Sequence, residues 1–319
     1  MIARPGRHAA AGVAGGPAMQ VSAHLYLVSD QAVPNVTPAI DRSVAPQEVI
    51  LLVSPDKRRQ AGWLEEVLRG RVRRVSRLEI DDAWDVEHIA DRVLTLLTER
   101  EGETVALNTT GGTKPMAIAA YQVFRDLDQP IFYVHPETDR LVWLHPRGRE
   151  AHALEDRIRL EPFLLAHGAR VIGSPLRHGI AGDHREVTRI LVKHCVDWGR
   201  ALGRLNYLAS TAERGGLVSA EMDQRWLHDE DFRQLLQLFH EHGLLDNRGM
   251  CLAFPDEETR FFVNGGWLED FVYGELADLR PGLSRMQDLA RGVEVERETG
   301  TGAVPNELDV VALVDNRLH

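Results

Sequence analysis

The chain has 319 residues, of which 44% are hydrophobic and 27% are charged, and this length allows two or three domains with separate cores. The formal net charge of −11 argues against unselective coating of nucleic acid, so any such contact requires a local basic groove or a metal ion. Two cysteines, Cys195 and Cys251, make neither a disulfide framework nor a metal cluster and favour a reducing cytoplasm, and no apolar run reaches membrane-spanning length.

Residues 1–20 are rich in alanine and glycine and are predicted to form a disordered leader. From His24 onward, apolar strands alternate with amphipathic helical segments. Strands separated in this way predict βαβ crossovers and a mostly parallel sheet, so the fold class is α/β. The predicted strands are His24–Ser29, Glu48–Val53, Arg74–Ile80, Val105–Asn108, Ile131–Val134 and Leu141–Leu144, and the predicted helices are Asp56–Gly70, Asp85–Arg100 and a segment that begins at Pro115.

The stretch Thr104–Gln122 contains the clearest candidate site. A short strand ends in a turn rich in threonine and glycine, and a helix follows, so free backbone N–H groups and the positive helix end point at one place. That arrangement suits an anion, typically a phosphate, although the turn is neither a Walker loop nor GxGxxG. The alternative is a tight connection with a solvated lysine. The predicted ligand-binding residues of the turn are Asn108, Thr109, Thr110, Gly111, Gly112, Thr113 and Lys114.

Polar residues follow three of the predicted strands at their carboxyl ends. They are Ser29–Gln31, Ser54 and Asn108–Lys114. In an open parallel sheet, ligands bind at the carboxyl ends of strands, where the strand order reverses. The coincidence therefore favours one shared site over three unrelated turns.

Beyond Pro146 the chain changes character, with charged connectors before the predicted helices His184–Leu202 and Phe232–His242. The later segments Met250–Phe254 and Thr259–Val263 resemble the wing hairpin of a winged helix. That fold often binds DNA, but the predicted helices carry few basic residues. The pattern favours a structural or dimer-forming role over reading of a DNA groove.

Two carboxylates near the end of the sequence are candidates for chemistry. Glu269 lies in the first turn of the predicted helix Trp267–Leu279, where capping of the helix dipole is the simpler alternative. Asp309 lies in the apolar segment Asn306–Asn316, where a buried carboxylate requires a cation or hydrogen-bond donors. Asp309 therefore either occupies a solvated sheet edge or holds a metal ion, and taken alone it favours the edge.

The run LNTTGGTKPM and its alanine-rich helix resemble the ligand turn of CARF domains, the CRISPR-associated Rossmann folds that sense cyclic oligoadenylates. The runs GGWLEDFVYGEL and NELDVVALVDNRL resemble the C-terminal half of the Can/Card group of CARF nucleases. The resemblance implies a homodimer that binds a cyclic oligoadenylate, with cyclic tetra-adenylate favoured. Thr109–Lys114 would contact the ring, with Ser29, Gln31 and Asn35 on the neighbouring turn, and ligand binding would reposition the effector domains.

The same resemblance implies an effector domain of PD-(D/E)xK, restriction-endonuclease type that cleaves DNA, RNA or both in type III CRISPR antiviral defence. Glu269 and Asp309 would be its catalytic residues and its ligands for Mg²⁺ or Mn²⁺. The family completes this site with Glu-x-Lys on the next strand, but none follows Asp309, and Glu296–Arg297–Glu298 is a poor substitute. We therefore expect a truncated form that binds its ligand without cutting.

The predicted domains are a leader over 1–20, a Rossmann-like CARF domain over 21–165, a connector with a winged-helix-like segment over 166–255 and an incomplete nuclease domain over 256–319. A sensor or transcription regulator without nuclease activity is the main alternative. A ring nuclease that degrades its activator is disfavoured because the turn offers no general base. A dinucleotide enzyme is disfavoured by the missing GxGxxG.

Overall fold

A computed structural model describes residues 21–135, 137–155, 158–178, 184–299 and 302–319. The predicted leader over residues 1–20 lies outside the described residues. The chain divides into two compact units. The first comprises the chain up to Ile158 together with Pro162–Gly168, and the second comprises Arg159–Glu161 and Ala169–His319. Among the described residues, no helix is long and apolar enough to cross a membrane.

The first unit contains strands and helices in alternation, as the apolar pattern predicts. Its strands are β1 (Ala23–Leu27), β2 (Glu48–Val53), β3 (Arg74–Glu79), β4 (Val105–Asn108), β5 (Ile131–His135), β6 (Arg140–His145) and β7 (His152–Ala153). Its helices are α1 (Val33–Ile40), α2 (Arg58–Leu68), α3 (Val86–Glu99) and α4 (Lys114–Asp126), and α5 (Leu160–Ala166) contains residues at which the two units divide.

The strands of the first unit form one seven-stranded sheet in the order β3–β2–β1–β4–β5–β6–β7. The pairs from β3 to β5 are parallel, and β6 and β7 add antiparallel strands at one edge. Strand β1 pairs with both β2 and β4, so the strand order reverses between β1 and β4. The carboxyl ends of these two strands are therefore the switch point where ligands bind in such sheets.

Helix α1 was not anticipated, because Pro34 and Asn35 suggest a polar turn. Pro34 instead occupies the first turn of the helix, where its missing N–H has no partner to lose. The Asn35 amide donates to the Ala32 carbonyl over 2.9 Å. Helix α3 follows its prediction closely, because the Asp85 side chain accepts a hydrogen bond from the His88 amide and caps the first turn.

Glu48 connects the start of β2 to the neighbouring strand β3 and to the end of α3 through hydrogen bonds. It accepts hydrogen bonds from Arg100 at 3.0 Å and from Ser76 at 2.7 Å. Burial alone would raise the pKa of Glu48, but the hydrogen bonds from Arg100 and Ser76 and the charges of Arg100 and Arg74 hold it below its ordinary value of 4.5. The folded state therefore favours the ionised carboxylate.

We predict that Glu48→Gln lowers the free energy of unfolding by about 2 kcal/mol at neutral pH. A lowered carboxyl pKa stabilises the fold above the unfolded pKa, and that contribution disappears as the pH falls through the folded value. Urea unfolding of both proteins between about pH 7 and about pH 3 measures the difference. The two curves are expected to converge at the acid end, and a constant gap across the range would contradict this reading.

The second unit contains helices followed by an antiparallel sheet. Its helices are α6 (His184–His194), α7 (Gly199–Ala212), α8 (Glu230–Glu241), α9 (Glu257–Phe261) and α10 (Trp267–Leu279). Its strands are β8 (Ala169–Val171), β9 (Asp246–Arg248), β10 (Cys251–Ala253), β11 (Met286–Thr299), β12 (Gly302–Val314) and β13 (Arg317–Leu318). The sheet order is β13–β12–β11–β8, and β9 and β10 form a separate hairpin.

Two predicted elements of the second unit are wrong. The helix predicted over His184–Leu202 is two helices, separated by turns around the exposed Val196. The predicted strand Thr259–Val263 is helical, because the Asp256 side chain accepts a hydrogen bond from the Thr259 amide over 2.7 Å and caps α9. A hairpin is present, but its strands are β9 and β10, so only the predicted segment Met250–Phe254 contributes a strand to it.

Candidate functional site

Two buried asparagines connect the carboxyl ends of β1 and β4. The Asn35 side chain donates to the Leu27 carbonyl over 3.1 Å. The Asn108 side chain donates to the Pro34 carbonyl over 2.8 Å and to the Asn35 carbonyl oxygen Oδ1 over 3.1 Å. Both asparagines are fully buried. They therefore hold the first turn of α1 against the two strand ends, and their side chains do not face solvent.

The hydroxyls of Thr109 and Thr110 are committed to the turn itself. Thr110 Oγ1 donates to Asn108 Oδ1 over 2.6 Å and accepts from the Val134 amide over 2.8 Å. Thr109 Oγ1 donates to the Phe132 carbonyl over 3.1 Å. A hydroxyl has a single proton, so neither side chain retains a donor for a ligand in this conformation. Their backbone amides are also committed, since the Thr109 N–H donates to the Phe132 carbonyl over 3.0 Å and the Thr110 N–H donates to Asn108 Oδ1 over 3.1 Å. These two threonines therefore offer a ligand only hydroxyl lone pairs.

Thr113 begins α4 and also fixes the loop after β3. Its Oγ1 accepts from the Met116 amide over 3.3 Å and donates to the Ala83 carbonyl over 2.8 Å. Trp84, which follows Ala83 in this loop, is 71% exposed. Its backbone lies between the Ala83 carbonyl, which accepts from Thr113, and Asp85, which caps α3. The sequence reasoning missed this loop. An aromatic residue just past the end of a predicted strand is the signal that could have found it.

The two glycines of the turn are required by the close approach of its backbone to β1. A Cβ on Gly111 would lie 2.2 Å from the Leu27 carbonyl oxygen. Gly112 has a φ of +73°, and a Cβ there would lie 2.8 Å from Leu27 Cβ. No other residue type fits either position without moving the end of the strand.

The polar strand ends do not all contribute to one open site. Ser29 is half-buried and lies beside the turn, since its Oγ would be 3.2 Å from a Cβ on Gly111. Gln31 and Lys114 are exposed. Ser54 is buried, and its hydroxyl proton is used within the turn after β2, where it donates to Asp56 Oδ1 over 2.6 Å. The structure therefore brings Ser29 beside the threonine–glycine turn and leaves Ser54 out. Asp30 instead pairs with Lys57, in the turn after β2.

A second candidate site lies in the second unit, where the charges of two carboxylates on β12 raise the pKa of a third carboxyl on α10. Burial raises the pKa of Glu269 at the start of α10, and the negative charges of Asp309 and Glu307 on β12 raise it further. Glu307 was not anticipated. Its spacing from Asp309 is the signal, because residues two apart on a strand lie on the same face.

Arg291 on β11 provides the positive charge at this acidic cluster and partly offsets the rise in the pKa of Glu269. Its guanidinium forms an ion pair with Asp270, and both side chains are almost buried, at 13% and 10% exposure. Arg291 Nε is buried and has no hydrogen-bond partner among the described residues. The pair is therefore an internal part of the fold beside the carboxylates.

The donor chemistry of Glu269 and Asp309 fits Mg²⁺ or Mn²⁺. Within the described part of the chain, no three His, Cys, Asp or Glu side chains converge closely enough to hold a metal ion. Mg²⁺, however, is commonly held by one or two carboxylates, with waters and substrate phosphates as the other ligands. Glu269 is half-buried, whereas Asp309 and Glu307 are exposed, so the charge repulsion that such an ion would relieve falls on Glu269.

A doubly wound sheet with an anion-suited turn at its switch point defines the first unit as a Rossmann-like ligand-sensing domain, and the second unit is a mixed α/β body with an acidic cluster. The Card1 CARF domain model matches residues 23–163, and the model described as "Card1-like, endonuclease domain" matches residues 256–319. The chain therefore contains a Card1 CARF domain followed by a Card1-like endonuclease domain. The resemblance seen in the sequence and the predicted α/β fold class are thereby confirmed.

Three solved structures are similar to this chain. Protein VC1899 from Vibrio cholerae is 27% identical with a TM-score of 0.82, over 93% of this chain and 78% of that one. Can2 from Sulfobacillus thermosulfidooxidans, in complex with cyclic tetra-adenylate, is 27% identical with a TM-score of 0.76, over 93% of this chain and 78% of that one. A type III CRISPR defence DNA nuclease activated by cyclic oligoadenylate shares the fold, with 24% identity and a TM-score of 0.55 over 96% of this chain and 41% of that one. No curated protein matches the sequence.

Proposed function

We propose that the first unit binds a cyclic oligoadenylate, with cyclic tetra-adenylate as the favoured ring. The observation that carries this proposal is the position of the turn Asn108–Lys114 at the switch point, pressed by its glycines against the end of β1. Its amides, the N-terminus of α4 and the exposed Lys114 are the groups that suit phosphates. The complex of the similar Can2 with cyclic tetra-adenylate supports the choice of ligand.

The residues of this site have different roles in the proposal. Asn35 and Asn108 are buried and position the turn, so we assign them no direct contact with the ring. Gly111 and Gly112 allow close approach of the backbone. The ligand contacts are assigned to Ser29, Gln31, Thr113 and Lys114 and, through their hydroxyl lone pairs alone, to Thr109 and Thr110. The Lys114 ammonium group supplies the positive charge.

We propose that two copies of the chain share one ring. Helix α4 exposes Ile118 and Tyr121, which line a shallow cavity of about 570 Å³ beside Thr109. A ring with two-fold symmetry matches two identical half-sites related by a two-fold axis. An apolar helix face next to the ligand turn is a surface that such a homodimer would cover.

We also propose that the protein acts in a reducing cytoplasm, because the cysteines Cys195 and Cys251 are both free thiols.

For the second unit, we propose a ring-activated nuclease of type III CRISPR antiviral defence that cleaves DNA, RNA or both. Glu269 and Asp309 would hold Mg²⁺ or Mn²⁺, which when bound polarises the scissile phosphate and lowers the pKa of the attacking water. Arg291 keeps a fixed positive charge beside Glu269. The similarity of residues 256–319 to the Card1-like endonuclease domain supports this assignment.

The printed sequence has no Glu-x-Lys after Asp309, so we predict that the polypeptide of residues 1–319 binds the ring without cutting. Labelled DNA and RNA strands incubated with Mn²⁺, with and without cyclic tetra-adenylate, test this prediction. Ring-dependent cleavage by residues 1–319 would contradict it. Tight, salt-sensitive duplex binding without metal would favour a sensor or regulator.

Removing one carboxylate of the acidic cluster tests the metal assignment directly. We predict that Glu269→Gln weakens Mn²⁺ binding at least about tenfold, since even the loss of groups that only orient metal ligands costs about 10- to 100-fold. Electron paramagnetic resonance of free Mn²⁺ measures the affinity. Glu275→Gln, an exposed position on the same helix, is the matched control and is expected to bind as the parent does. An equal loss of Mn²⁺ affinity in both variants would contradict the assignment of Glu269 as a metal ligand.

A further inference from the structure

The exposed face of α7 forms one wall of a surface cleft of about 700 Å³ in the second unit. The cleft is separate from the acidic cluster in its lining residues, and its second wall is the segment that leads into a short helical turn before α8. The lining residues are Arg200, Gly203, Arg204, Tyr207, Glu221, Met222, Asp223 and Trp226. We call this feature the α7 cleft.

Two aromatic rings give the α7 cleft a stacking surface. Tyr207 is 54% exposed and meets Trp226 edge to face, with ring centroids 6.4 Å apart at an interplanar angle of 83°. Trp226 is in turn fixed by Phe232, whose ring centroid is 6.0 Å away. The tyrosine therefore presents an open ring face beside an immobilised indole, which is how proteins stack a nucleobase.

Several charges in the cleft are already committed to partners. Arg204 forms an ion pair with Asp229 at 2.5 Å, and its guanidinium lies 5.5 Å from the Trp226 ring centroid. Asp223 accepts from Arg225 at 2.6 Å and 3.1 Å. Within each pair the two charges neutralise one another. Arg204 and Asp223 therefore line the cleft without offering it a free charge.

Arg200 and Glu221 remain available, since both are exposed and neither forms an ion pair with another described residue. A guanidinium is a fork of donors suited to a phosphate. A carboxylate accepts hydrogen bonds from amino groups such as those on adenine, guanine and cytosine. One free cation, one free acceptor and an aromatic platform together match the parts of a single nucleotide.

Gly203 leaves the room that such a ligand needs. It lies inside α7 between Arg200 and Arg204, one turn before Tyr207, where glycine weakens a helix. Packing does not demand it, because a Cβ at this position would meet no atom within 4 Å. A larger residue would instead fill the cleft without disturbing the fold.

We propose that the α7 cleft binds one nucleotide of a single nucleic-acid strand, with the base on Tyr207, the phosphate on Arg200 and a base amino group on Glu221. Binding of a nucleotide in the α7 cleft requires neither the cyclic ring nor a metal ion, so it goes beyond the proposed function. A free nucleotide offers the same chemistry, but the cleft is open to solvent and does not enclose its ligand, which suits one nucleotide of a longer strand.

Fluorescence anisotropy of a labelled single strand of about 12 nucleotides, in chelator and without the ring, tests the proposal. Tyr207→Ala and Arg200→Gln are each expected to raise the Kd at least about fivefold. Tyr133→Ala, an exposed tyrosine of the first unit, is the matched control and should leave the Kd unchanged. Wild-type affinity in the two cleft variants, or no strand binding by the parent chain, would overturn the proposal.

Gly203→Leu separates loss of the site from loss of the fold. It is expected to keep or raise the Tm while strand affinity falls, and cyclic tetra-adenylate should bind as before because the ring site is in the first unit. A mononucleotide that binds as tightly as the strand would overturn the strand in favour of a free nucleotide. Unchanged strand affinity in Gly203→Leu would overturn the cleft itself.

Discussion

Replacing Gly111 by alanine is expected to weaken binding of cyclic tetra-adenylate at least about 100-fold, or roughly 2.7 kcal/mol of binding free energy. The added Cβ would lie 2.2 Å from the Leu27 carbonyl oxygen, a backbone atom that cannot move without displacing the end of β1. The turn must therefore shift, and its amides and the start of α4 lose their common direction. Isothermal titration calorimetry measures the loss.

The matched control for this change is Gly62→Ala in α2, in the same unit. A Cβ on Gly62 would meet only the Arg77 side chain, at 3.8 Å. Alanine is the better helix former, so this variant is expected to gain about 0.5–1 kcal/mol of stability and to bind the ring normally. If Gly111→Ala folds and binds the ring like Gly62→Ala, the turn does not contact the ligand.

The second large effect concerns the pair formed by Asp270 and Arg291. We predict that Asp270→Ala lowers the free energy of unfolding of the second unit by about 3–5 kcal/mol, because it leaves the guanidinium of Arg291 buried without its partner. Urea unfolding followed by circular dichroism measures the change, and the transition of the first unit should stay in place.

A double variant distinguishes the cost of a lone buried charge from the loss of the pair itself. In Asp270→Ala with Arg291→Met, neither charge of the pair remains, and a methionine fills much of the volume of the arginine. Buried ion pairs replaced by apolar groups are often neutral in stability, so most of the loss is expected to return. A double variant as unstable as Asp270→Ala alone would show that the destabilisation has another origin.

Apolar runs located the buried strands well, because a parallel sheet covered on both faces demands them. Helix α1 was not predicted because its two prolines and its asparagine suit a turn as well as a helix. Only the contacts with β1 and β4 decide between a turn and a helix. The segment Thr259–Val263 has the composition of a strand, yet the Asp256 cap makes it helical.

The candidate sites show the same division between local and distant information. The glycines of the turn were visible in the sequence because they serve a local backbone requirement. The pairing of Asn108 with Asn35 was not, because it joins residues 73 positions apart. Glu307 was likewise hidden, since its effect on Glu269 depends on how β12 faces α10.

Calorimetric titration of the unmodified chain with cyclic tetra-adenylate, with AMP as the control, tests the central claim most directly. We predict saturable binding of the ring with one ring per two chains and no comparable binding of AMP. A flat titration at micromolar protein, or equal binding of AMP, would contradict a two-fold nucleotide site built from two threonine–glycine turns.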